Sequence, residues 1–183
     1  MVGGLGLIVM LLCCGVGGWM MWSLFPKMTS NPVEVAEIGK QVLDVEIPDD
    51  FQPETAMTID NFAMTMRMAN FRHKQDKGTL LLGDFQMKLG NHDQKLDIQQ
   101  KLDQNSKDGP KLQMGDSKVR EFQVRGKAVP FRFSDAVDQE TKKKFRVVEG
   151  DLEAPKGGAF IKLIIDAEAY DEDAVVKMIE SIR

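Results

Sequence analysis

An α+β fold is predicted, an N-terminal transmembrane helix followed by an antiparallel β-sheet packed with N- and C-terminal helices, and three observations in the 183-residue sequence predict it. Residues 5–25, LGLIVMLLCCGVGGWMMWSLF, carry no ionisable group except the thiols of Cys13 and Cys14. Apolar side chains alternate with period two through the middle of the chain, the spacing of a strand with two unlike faces. Helix-start signals stand at Asn31-Pro32 and again at Asp171. The chain therefore divides into a transmembrane anchor at 1–26, a linker at 27–31 and an α+β sandwich domain at 32–183.

The anchor comes first. At 1.5 Å per residue, a helix over 5–25 reaches roughly the 30 Å hydrocarbon thickness of a bilayer. A cleaved export signal would have a basic start, a shorter apolar stretch and small residues at its cut site. MVGG supplies no Lys or Arg, and Trp19, Met20, Met21 and Trp22 stand where small residues belong. The two indoles suit the headgroup level, with Lys27 snorkelling just beyond. Cys13 and Cys14 are open to two readings, lipid attachment or two small apolar residues within a span, and the residues before each fit lipid attachment poorly. Cys14 and Gly18 make one small-x-x-x-small pair, a weak signal for helix association. Lys27 and Lys40 lean slightly toward a cytoplasmic C-terminal domain.

In NPVEVAEIGKQVLDV, Asn31 is a candidate N-cap, Pro32 fits the first helical position, and Val35, Ile38 and Val42 share one face. Pro48 and Pro53 then hold VEIPDDFQP extended and turning. In NFAMTMRMANF, alternation puts Phe62, Met64, Met66 and Met68 on one side and Ala63, Thr65, Arg67 and Ala69 on a wet side. RHKQDKGT is a hairpin loop into the strand TLLLGDFQMKL. Residues 91–104 suit a surface helix resting on Leu96, Ile98 and Leu102, and residues 105–118 a loop, with a short strand at KLQM as the alternative.

Three strands follow, VREFQVRG, KAVPFRFSDA and KKKFRVVEGDLEA, with turns at Gly126-Lys127 and VDQET. After PKGG, the strand AFIKLIIDAEA is apolar on both faces, the pattern of a central strand covered on both sides. Asp171 caps the last helix, Glu172 and Asp173 complement its dipole, and Val175, Ile179 and Ile182 form its buried stripe.

The net charge of −4 is mixed in sign, so nucleic acid is not an expected partner. His73 and His92, the two histidines, sit among polar loop residues and read as surface groups; no zinc spacing or nucleophile elbow accompanies them. Asp49, Asp50 and DAEAYDED read as a turn and a helix start, and Lys142–Lys144 as a solvated hairpin tip. Met64, Met66 and Met68, with His73 nearby, are the candidate ligands for a soft ion such as Cu(I). Same-face neighbours along one strand lie about 7 Å apart, so the competing reading is a core strand in which Met fills gaps. No catalytic set, cofactor site or metal centre is assigned.

The layout of a front helix, an "IPDDFQP" entry, an antiparallel meander and a closing "MIESIR" helix resembles the DcrB and PsbP-like α+β sandwich domains. That resemblance implies an accessory or assembly module, not an enzyme with a shared catalytic set. It also implies an extracytoplasmic domain, which outweighs the lysine bias. The expected function is thus a membrane-tethered, non-enzymatic interaction module of the cell envelope, single-pass, with an unknown protein partner; the alternative is Cu(I) binding through the Met strand.

Overall fold

The computed structural model describes residues 26–88, 111–154 and 157–183. Eight strands form one antiparallel sheet: β1 (Lys27–Thr29), β2 (Phe51–Asp60), β3 (Met64–His73), β4 (Gly78–Met87), β5 (Leu112–Val124), β6 (Lys127–Asp138), β7 (Lys144–Ala154) and β8 (Gly157–Asp166). Helix α1 (Pro32–Val42) lies between β1 and β2 in sequence, and α2 (Glu172–Glu180) closes the chain. The spatial order β1-β2-β3-β4-β8-β7-β6-β5 joins two meanders through the β4–β8 pair. The last strand in sequence is therefore central, as its two-sided apolar pattern requires.

The expected fold class is corrected by this architecture. The described chain is an α+β fold dominated by a single eight-stranded sheet with two short helices. Among the described residues no helix is long and apolar enough to cross a membrane. Residues 1–25 of the predicted anchor at 1–26 lie outside the described residues, as do the predicted helix at 91–104, His92 and residues 105–110 of the predicted loop. Strand content exceeds expectation because three segments without a clean apolar period pair anyway. Residues 27–29, expected as linker, pair with Ala56–Thr58. Residues 54–60 extend the Pro-rich entry into a full strand, with a register shift at Pro53/Thr55. Residues 112–118, expected as loop with at most a short strand at KLQM, begin a long edge strand whose side chains are mostly exposed.

Local signals fix both helices. The Asn31 side chain accepts from the Val33 N–H at 3.0 Å, and Pro32 begins the helix. Asp171 accepts from the N–H groups of Asp173 and Ala174 at 3.0 and 3.1 Å. Helix α1 packs on β2, β3 and β4, and α2 contacts β5. Their face of the sheet holds the core: Ala69, Phe71, Leu80, Leu82, Ile161, Leu163, Val148 and Phe131, under Val35, Val42, Val175 and Ile179.

This placement reverses one expected face. Ala69 and Phe71, not the methionines, lie beneath α1, because Gly39 lets the helix settle onto them: a Cβ there would stand 2.8 Å from the Phe71 ring. Arg67 on the same face is held by Asp84, with Nε–Oδ1 at 3.0 Å. Phe62, expected beside the methionines, sits in the β2–β3 turn and is 60% exposed.

Candidate functional site: the methionine-lined face

The pairing register decides which side chains share a face. Directly paired residues on neighbouring strands point the same way, so rows can be read across the sheet. One row runs Met28–Met57–Met68–Gly83–Phe160. The next runs Ile59–Met66–Phe85–Gly158, and a third pairs Met64 with Met87. All lie on the face opposite α1 and α2, and no described helix packs against it. The expected face sharing of Met64, Met66 and Met68 is therefore observed, and the fold adds Met28, Met57 and Met87.

Access across this face is graded. Met28 is 73% exposed, Met57, Met64, Met68 and Met87 are partly buried, and Met66 and Phe85 are buried. Gly83 continues the first row without a side chain, and the Phe160 ring fills the gap: a Cβ on Gly83 would stand 2.3 Å from its Cζ. Charged groups bound the patch. Glu54 accepts from Asn70 and Arg72 at 2.7 Å each, and Lys162 pairs with Glu149 at 2.9 Å. Below it, Lys88 reaches Asp60 and, with Thr65, holds that carboxyl below its ordinary value.

His73 is not part of this face. It is buried on the helix side at the far end of β3, with Phe51 edge-on at 5.4 Å and its Nδ1 accepting from the Gln75 N–H at 3.2 Å. That corrects both its expected surface position and its place among the soft ligands: odd and even positions of one strand face opposite ways. It lines a recess of about 40 Å³ with Pro48, Asp50, Phe51, Asp171 and Met178, room for about one water. Asp171 there is committed to capping α2.

Other singled-out groups take structural work. Lys143, in the basic run, donates to Asp166 at 2.8 Å. That ammonium first, and the Glu168 N–H second, hold the Asp166 carboxyl below its ordinary range. Backbone N–H groups of Thr141 and Glu140 do the same for Asp138 in the β6–β7 turn. Among the described residues no group of three or more His, Cys, Asp or Glu side chains is placed to hold a metal ion. The donor set that the fold does assemble is thioether. Sequence reasoning missed Met57 and Met28 because cross-strand register is not written in a single strand, and because Met28 belonged to an expected linker.

Comparison with known proteins finds no family model and no curated protein that matches this chain.

Proposed function

We propose that this chain is a membrane-tethered, non-enzymatic interaction module of the cell envelope, held by residues 5–25 with its sheet domain on the extracytoplasmic side. One observation carries the reading: strand β1 begins at Lys27, almost at once after the uncharged run, and is hydrogen-bonded into the sheet edge. A tether joined this way has no slack, so the bilayer would fix the orientation of the sheet. The same corner gives further support. Phe62 is strongly exposed there, and Lys27 and Lys88 lie at the same end of the sheet. An exposed aromatic ring beside Lys27, with Lys88 bound to Asp60 next to it, suits the headgroup layer of a membrane. The accessory role and the extracytoplasmic side rest on the resemblance of the sequence to DcrB and PsbP-like domains.

The test is extraction of the full chain from native membranes with alkaline carbonate, alongside N-terminal sequencing of the mature protein. Retention in the pellet with residues 5–25 intact is expected. Release into the supernatant, or a mature chain that begins after Phe25, overturns the tether. A C-terminal reporter active only in the cytoplasm overturns the side.

A further inference from the structure

Among the features left over, the recess beside His73 has room for about one water, and edge strand β5 carries no sign of what would pair with it. The row that begins at Met28 goes further. β1 places Met28 opposite Met57, and β2 places Met57 opposite Met68, so three thioethers stand side by side on one face across three strands. Directly opposed residues have Cβ atoms about 4.5–5.5 Å apart, against about 7 Å between same-face neighbours along a strand. Each Met side chain has three rotatable bonds. Three sulfurs can therefore meet at one point above Met57 without moving the backbone, which Met64, Met66 and Met68 on a single strand cannot do.

We propose that Met28, Met57 and Met68 form a binding site for a soft monovalent ion, Cu(I), with Ag(I) as its redox-inert stand-in. Three neutral thioethers match the softness of Cu(I) and are poor ligands for Zn²⁺, Mg²⁺ or Ca²⁺. The exposure gradient gives a way in: the ion arrives at solvent-facing Met28 on the sheet edge and is held against Met57 and Met68. The Phe160 ring over Gly83 closes the inner end of the row. Packing explains Met28 poorly, since a side chain 73% exposed buries little surface. Thioethers carry no proton to release, so binding is insensitive to pH, unlike a thiolate or imidazole site. The site is independent of the membrane tether.

The experiment uses the full chain in mild detergent with the substitutions C13S and C14S, so that thiols do not report. Cu(I) is titrated anaerobically against a chromophoric Cu(I) chelator, and Ag(I) is titrated with NMR detection of isotopically labelled Met methyl groups. One Cu(I) per chain is expected, with unchanged affinity between about pH 5 and about pH 8, the range in which imidazole titrates. M57L is expected to lower affinity by at least about tenfold and M64L to leave it unchanged, while Ag(I) shifts the methyl signals of Met28, Met57 and Met68. Met→Leu conserves volume, so circular dichroism of each variant should match the parent. Failure to hold Cu(I) against the chelator, full binding by M57L, or affinity that falls as imidazole protonates overturns the proposal.

Discussion

Replacing Gly150 by Ala should destabilise the protein, and removing Phe131 should turn the same replacement into a stabilising one. Phe131 is fully buried and directly paired with Gly150 across β6 and β7, so its ring lies over the backbone where a side chain would stand. A Cβ on Gly150 would meet Cε1, Cδ1 and Cζ of that ring at 2.3, 2.5 and 2.7 Å. The ring has little freedom to yield, because Phe122 meets it edge-on at 5.4 Å. Overpacking of this kind costs about 1–3 kcal/mol, offset by about 0.5–1 kcal/mol for replacing Gly inside a strand. At the middle of these ranges G150A should therefore cost about 1 kcal/mol. F131A should cost about 3–5 kcal/mol, and on that background G150A should gain about 0.5–1 kcal/mol. Urea unfolding of the four proteins, followed by circular dichroism, gives the coupling. An equal effect of G150A in both backgrounds, within about 0.5 kcal/mol, would refute the argument.

Three further outcomes follow from the contacts on the helix face and at the turns. D171A removes the acceptor for two N–H groups of α2 and should cost about 1 kcal/mol in urea unfolding. R67M leaves the buried Asp84 carboxylate without its partner and should cost about 2–4 kcal/mol, whereas R67M/D84L should recover most of that loss. D166N should weaken the fold at neutral pH, because a carboxyl held below its ordinary value of 3.8 stabilises the folded state above that value. As pH falls through 3.8 toward the lowered folded value the parent loses this stabilisation, so the gap between the two proteins should close in unfolding midpoints measured against pH.

The parts of this fold that are legible in the sequence are the ones set by neighbouring residues. Asn31-Pro32 and Asp171 act within one helical turn, so both helix starts can be read directly. The apolar run at residues 159–165 marks the strand that stands central in the sheet, although described helices cover only its Ile161, Leu163 and Ile165 face, and Phe160, Lys162 and Ile164 are half-buried. Face assignment is different. Met64, Met66 and Met68 form the more apolar stripe of β3, yet α1 covers the stripe with Ala69 and Phe71. Gly39, thirty residues away, makes this fit possible, since its missing side chain leaves room for the Phe71 ring. Strand β1 is three residues long and has no period to detect, and β5 hides its strand character behind exposed polar residues. Half of the candidate site was thus visible as a Met stripe. The other half, Met28, Met57 and Met87, depends on pairing across strands, which only the folded sheet brings about.

The two faces of the sheet also divide stability from recognition in a way that makes the methionine row testable. On the helix face, Leu82 and Leu163 are buried against helices, and truncating such a residue to Ala costs about 2–5 kcal/mol. On the opposite face, a Met→Leu change keeps volume and apolar area and should cost less than about 1.5 kcal/mol. A selection for packing alone would accept Leu at residues 28, 57 and 68, since Leu has the stiffer side chain and specifies a surface better than Met. Sulfur is the one property that the exchange removes. A functional loss in M57L with the fold intact would therefore belong to thioether chemistry, and the same loss in M64L would point instead to the adaptable surface of the whole face.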